Sequence, residues 1–233
     1  MIRLILFDID GTLIRTGGAG VEAFERTFAS EFDLLNATRD MKFAGRTDPS
    51  LVREGFTRHG IEASAENFTR FFETYVCWLQ KLMPHSNGQV CPGVSELLRA
   101  LGELPAPPLI GLLTGNIRAG ARIKLAHYRL WDQFAFGAFG DDNECRNELA
   151  GVAQRRASDL LGRKITGDEI VVIGDTPLDV ACANAIHARV LAVATGGYRL
   201  EDLQSCRPTW AVESLAHMQV EQLWQCEDGG LKG

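Results

Sequence analysis

Two short segments carry paired aspartates. Asp8 and Asp10 stand two residues apart in Phe7-Asp8-Ile9-Asp10-Gly11-Thr12-Leu13, and Asp175 and Asp179 stand four apart in Gly174-Asp175-Thr176-Pro177-Leu178-Asp179. Gathered at one place, four carboxylates would repel and raise one another's pKa unless a cation sat among them. A hard divalent ion that prefers oxygen ligands, Mg²⁺, meets that need, so Asp8, Asp10, Asp175 and Asp179 are the expected metal residues. Thr114-Gly115-Asn116 follows the apolar run Leu109–Leu113, where a hydroxyl and backbone N–H groups could face an anion. Arg146 opens a helix-like segment and, as a permanent cation, could neutralise a carboxylate and a phosphoryl group together. Each residue alone has a plainer role: a turn or cap for Asp and Thr, a solvated charge for Arg. The two aspartate pairs taken together resist that reading.

Such residues need elements that bring them to one edge. Arg3–Phe7, Leu109–Leu113, Phe134–Phe139, Glu169–Ile173 and Arg189–Ala194 are short apolar runs, with Thr209–Val212 as a late sixth. Helical patterns lie between them at Val94–Gly102, Arg118–Tyr128, Asn147–Leu161 and Pro177–Ala185. Continuous apolar strands alternating with helices predict an α/β fold, a doubly wound parallel sheet covered on both faces. Ligands of such sheets bind beyond the carboxyl ends of the strands, and four of the runs end in the reactive residues above.

One stretch breaks the alternation. Residues 16–84 hold no convincing strand, but helical periodicity runs through Val21, Phe24 and Phe28, through Leu51–His59 and through Glu66–Met83. The stretch predicts an inserted α-helical cap, leaving residues 1–15 and 85–233 as the core. Asp48-Pro49 has the form of an Asp N-cap with proline at the first helical position. The aromatic residues Phe68, Phe71, Phe72, Tyr75 and Trp78 have the spacing of a cap core. A short helix is expected after Val212, with Asp228–Gly233 frayed.

At this point the residues resemble the haloacid dehalogenase superfamily of aspartyl-phosphate-forming hydrolases, and within it the phosphatases with a small helical cap, of the phosphoglycolate phosphatase kind. The likeness rests on Asp8-Ile9-Asp10-Gly11-Thr12, Thr114, Arg146 and Gly174-Asp175 with Asp179. It implies a Rossmann-like core in which Asp8 is the nucleophile and Asp10 the general acid and base. It further implies Mg²⁺ held by Asp8, the Asp10 carbonyl and Asp175, with Asp179 in support. Thr114, Arg146 and the backbone of Gly11, Thr12, Gly115 and Asn116 would hold the phosphoryl oxygens. The family's third motif usually carries Lys; Arg146 takes that place here, and Lys124 is set aside as lying on the wrong element. Asp10 favours phosphate-ester chemistry over dehalogenation. Position 20, where the phosphoglucomutase-like branch carries a cap His, is Gly20. The alternatives are a phosphomutase of the β-phosphoglucomutase type and a non-catalytic relative that binds a phosphorylated ligand.

In the cap, Phe43-Ala44-Gly45-Arg46-Thr47-Asp48 looks like the family's specificity loop. There Arg46 could meet a second anionic group of the substrate, while Asp48 is read as a helix cap. The chain of 233 residues carries 30 acidic against 24 basic residues, a net charge of −6. That balance lacks the basic field wanted by nucleic acid or an acidic membrane. No apolar run approaches the ~18 residues of a membrane span, and no signal-like segment opens the chain. The six cysteines show no CxxC spacing and are expected to be free thiols in a cytoplasmic protein. The expected partner is a small phosphorylated metabolite; the oligomeric state is left open.

Overall fold

The alternating pattern folds as its periodicity requires. The computed structural model describes residues 1–224. Six parallel strands form the main sheet: β1 (Leu4–Phe7), β4 (Leu109–Leu113), β5 (Phe136–Ala138), β6 (Ile170–Gly174), β7 (Arg189–Val193) and β8 (Trp210–Val212), in the order β5-β4-β1-β6-β7-β8. β1 pairs with β4 on one side, Phe7 opposite Leu112, and with β6 on the other, Phe7 opposite Ile173. The chain thus leaves β1 at the point where the strand order reverses, which is where such sheets open a crevice.

Every residue of β1 is buried. Ile5 and Phe7 join one apolar cluster with Leu112, Val171 and Leu191, while Leu4 and Leu6 join a second with Leu113, Val172 and Val190. The strand period of two therefore serves both faces. The first cluster is covered by α4 (Val94–Gly102) and α5 (Arg118–His127), the second by α6 (Arg146–Leu161) and α7 (Pro177–Ala185). Each such buried side chain contributes about 1.5–3 kcal/mol. A short α8 (Leu200–Gln204) precedes β8, and two 3₁₀ turns, Leu215–His217 and Val220–Trp224, stand where a C-terminal helix was expected. The expected fraying of Asp228–Gly233 lies outside the described residues.

Between β1 and β4 the chain forms a helical layer of α1 (Ala19–Phe32), α2 (Asp48–Arg58) and α3 (Ala65–Leu82). The three helices share their own apolar cluster, in which Phe24, Phe28, Phe56, Phe71 and Tyr75 are fully buried and Ile117 of the core takes part. The Phe24 ring lies 5.1 Å from Phe71 and 4.8 Å from Tyr75. Phe68, Phe72 and Trp78 are only partly buried against this cluster. Both crossings between layers run through a two-stranded antiparallel ribbon that the periodicity did not reveal, β2 (Ile14–Arg15) paired with β3 (Gln89–Val90).

Candidate active site

The loop after β1 turns sharply because Gly11 sits at φ 87°, and a Cβ there would lie 2.4 Å from an Asp175 oxygen. Glycine lets the turn touch the loop after β6. Asp8, Asp175 and Asp179 are all buried, and each offers a carboxylate oxygen within 4.8 Å of the others. Arg146, at the first turn of α6, reaches into this group. Its Nη2 lies 3.1 Å from Asp8 Oδ1 and also pairs with Asp179 Oδ1.

The electrostatics follow from burial. Desolvation pushes the Asp8 carboxyl up to about 6, with Arg146 pulling it back and Asp179 and Asp10 adding repulsion. Asp175 rises to about 8, first through burial and then through Asp179 and Asp8. Its Oδ1 accepts a bond from the buried Thr12 hydroxyl at 3.0 Å. A donor set of closely spaced, desolvated carboxylates beside one arginine still carries excess negative charge, which suits a hard divalent ion.

Asp179 is held through both oxygens. Oδ2 accepts from the Thr176 N–H at 3.0 Å and the Thr176 hydroxyl at 2.7 Å, and the Thr176 hydroxyl accepts the Asp179 N–H in return. It is thus a capping-box residue of α7 and the anchor of Arg146 at once.

Asp10 stands apart from the buried trio. Its side chain is 40% exposed and faces a cavity of about 320 Å³. Oδ2 accepts from Lys124 Nζ at 2.7 Å and from Asn116 Nδ2 at 2.8 Å. Lys124, set aside in the sequence reading, therefore belongs to the site. It was traceable: with Ala121 and Leu125 it forms the buried face of α5, and a lysine in an apolar stripe needs a partner. Thr114 is fully buried at the end of β4, and its Oγ1 accepts from Asn116 Nδ2 at 2.8 Å, leaving the hydroxyl proton to donate.

The structure gives several of the expected groups other partners. The N–H groups of Gly11 and Thr12, expected to hold phosphoryl oxygens, are spent inside the turn on the Ile14 and Ile9 carbonyls. The Asn116 N–H is spent on Thr114 Oγ1 at 3.3 Å. The Arg46 guanidinium, expected to meet a substrate anion, pairs with Glu54 of α2 and with the Ser50 carbonyl at 3.2 Å, although Arg46 lines the cavity. Asp48 does not cap α2; Thr47 does, accepting from the Ser50 N–H. Asp48 Oδ2 instead accepts the Ile117 N–H at 2.8 Å, at the start of α5.

The helical layer is docked over this site. The Asp48 N–H donates to the Gly115 carbonyl at 2.7 Å, Thr47 Oγ1 to the Glu144 carbonyl at 2.8 Å and Arg146 Nη1 to the Gly45 carbonyl at 3.2 Å. Gly115 is required there, since a Cβ would lie 2.1 Å from the Arg46 carbonyl oxygen. The side of the cavity given by the helical layer is largely apolar, formed by Val21, Phe24, Phe43, Leu51 and Tyr75.

A family profile described as haloacid dehalogenase-like hydrolase matches residues 5–193. The chain belongs to this hydrolase family. The match spans the aspartate loop after β1, Thr114, Arg146 and the aspartates after β6. The hydrolase is 27% identical over 215 residues to a phosphoglycolate phosphatase of Rhodospirillum rubrum, covering 88% of this chain and 84% of the relative. A phosphoglycolate phosphatase of Cereibacter sphaeroides is 28% identical over 203 residues, covering 84% of this chain and 86% of the relative. Among solved structures, CbbY from Rhodobacter sphaeroides in complex with phosphate superposes with a TM-score of 0.72 at 18% identity, covering 93% of this chain and 96% of that one. Among the described residues no helix is long and apolar enough to cross a membrane.

Proposed function

We propose that this hydrolase is a Mg²⁺-dependent phosphatase that cleaves a small phosphorylated metabolite through an aspartyl phosphate on Asp8. The observation that carries the reading is the division of labour between two aspartates of one turn. Asp8 is buried against Arg146 and Asp175, whereas Asp10 faces the cavity and is held by Lys124 and Asn116. The two environments suit a nucleophile and a proton carrier. The relatives named as phosphoglycolate phosphatases support a short phosphorylated acid as substrate class. The free thiols of the five described cysteines support a cytoplasmic setting.

In the first half-reaction an Asp8 oxygen bonds to phosphorus while the bond from phosphorus to the leaving oxygen breaks. That oxygen takes the proton of Asp10. In the second half, ionised Asp10 takes a proton from water as the water oxygen bonds to phosphorus. The Asp8–phosphorus linkage breaks, inorganic phosphate leaves, and Asp10 is again protonated. Arg146 and the Thr114 hydroxyl stabilise charge on the phosphoryl oxygens, and Asp179 keeps Arg146 in place. A divalent ion held by Asp8, the Asp10 carbonyl and Asp175 supplies, when bound, the positive charge that lets a carboxylate approach a phosphate. The docked helical layer keeps bulk water from the phosphoryl group.

Phosphate release from a panel of sugar, nucleotide and short-acid phosphates, with Mg²⁺ and with a chelator, tests this reading. Release should need the ion and should vanish in Asp8→Asn. Undiminished turnover in that variant removes Asp8 as nucleophile, and a bisphosphate intermediate without net release moves the chain to the mutases.

A further inference from the structure

We infer that Lys124 is the positioning residue of the proton-transfer step, fixing one oxygen of Asp10 so that the other is presented to the leaving group. The inference rests on the phosphatase reading above and assigns Lys124 a role within it.

Lys124 is only 6% exposed at its side chain, and its ammonium makes two hydrogen bonds, 2.7 Å to Asp10 Oδ2 and 2.6 Å to Asn116 Oδ1. An ammonium can only donate, so the second bond sets which end of the Asn116 amide is oxygen. The Asn116 Nδ2 that results points back at the same Asp10 Oδ2, 2.8 Å away, and at Thr114 Oγ1. Lys124, Asn116 and Asp10 thus close a triangle in which both donors converge on Oδ2. Oδ1 is outside this triangle, on a side chain that lines the cavity.

The cap completes the arrangement. A Cβ at Gly20, in the first turn of α1, would lie 3.3 Å from Lys124 Nζ and 3.6 Å from Cε. The helical layer therefore lies directly over the ammonium, and any side chain at position 20 would press on it. A dry ammonium has few ways to turn, so it holds Asp10 more firmly than a hydrated one. Proton transfer is sensitive to such placement: a misplacement of about 1 Å can cost on the order of 10²-fold in rate.

The test separates proton transfer from binding and from folding. Lys124→Met keeps the stem volume and removes the donors. kcat/KM is measured for an alkyl phosphate such as phosphoglycolate, whose alkoxide needs a proton to leave, and for p-nitrophenyl phosphate, whose phenolate does not. The loss on the alkyl ester should exceed the loss on the aryl ester by at least about tenfold, within the range general acid catalysis supplies. The inhibition constant of the matching alkyl phosphonate should stay within about threefold of the parent's, since contacts to the resting ligand are retained. Equal losses on both esters overturn the inference, because a structural defect acts on both. Weaker phosphonate binding that accounts for the whole loss also overturns it, because Lys124 then contacts the substrate. Should the Met variant not fold, Lys124→Gln is judged by the same ratio. A parent enzyme that releases phosphate from neither ester overturns the phosphatase reading itself; a parent that does, with an unchanged ratio in the variant, overturns only the role of Lys124.

Discussion

The Asp48 carboxylate accepts the Ile117 N–H at 2.8 Å across the seam between the helical layer and the sheet. A residue of α2 thereby satisfies the start of α5. Burial pushes Asp48 up to about 7, with Lys124 and the Ile117 N–H pulling it back and Asp10 and Asp141 opposing them. The unfolded chain releases this proton near the ordinary value of 3.8 and the folded chain near 7. Between those values the folded state holds more protons, so stability declines as pH rises through that window. Asp48→Asn keeps the acceptor and removes the titration. The Tm of the variant should rise relative to the parent as pH goes from 5 to 8; a pH-independent difference would count against the buried carboxyl.

Arg146 is the counter-charge of two buried carboxylates and also donates to the Gly45 carbonyl of the cap. Arg146→Met leaves those charges uncompensated and should cost about 3–5 kcal/mol of stability. Arg146→Lys restores the charge without the planar fork and should fall between the two. Urea unfolding of the three proteins checks the order, and a Met variant as stable as the parent would refute it.

Addition of Mg²⁺ should raise the Tm through linkage, by about 2.7 kcal/mol of stability at an ion concentration 100 times Kd. Asp175→Asn removes one carboxylate of the buried trio and should abolish most of that increment. Thermal melts with graded Mg²⁺ measure it. An increment unchanged in the variant would place the ion elsewhere.

Gly115→Ala would bring a methyl carbon within 2.1 Å of the Arg46 carbonyl oxygen. The cap loop must then lift, breaking the contact between the Asp48 N–H and the Gly115 carbonyl. The expected result is a larger radius of gyration by small-angle scattering together with a raised KM. An unchanged radius and KM would show that the docked loop is not the state that binds substrate.

Much of this was legible in the sequence because period and punctuation agreed. Leu109–Leu113, Val94–Gly102 and Pro177–Ala185 have the bounds expected of them. That Asp8, Asp10, Thr114, Arg146 and Asp175 meet around one cavity was legible because strand ends at one sheet edge must converge. The helical stretch after Thr16 showed itself by the absence of strands. What stayed hidden was pairing. Nothing in the spacing says that Arg46 finds Glu54, that Thr47 rather than Asp48 caps α2, or that the Gly11 and Thr12 N–H groups close their own turn. Lys124 lies inside α5 rather than at a strand end, so its contact with Asp10, made by packing α5 beside the β1 loop, leaves only the apolar stripe of α5 as a sign of it. The ribbon of β2 and β3 has two residues in each strand, too few for periodicity to register.

That ribbon has a further consequence. Ile14 faces Val90 and Arg15 faces Gln89, so the chain departs for the helical layer and comes back through one shared gate. The segment between closes on its own ends, like a cassette clipped into a socket. The ribbon fixes where residues 16–88 leave and rejoin the sheet, so the strand register at the aspartates is set outside that segment.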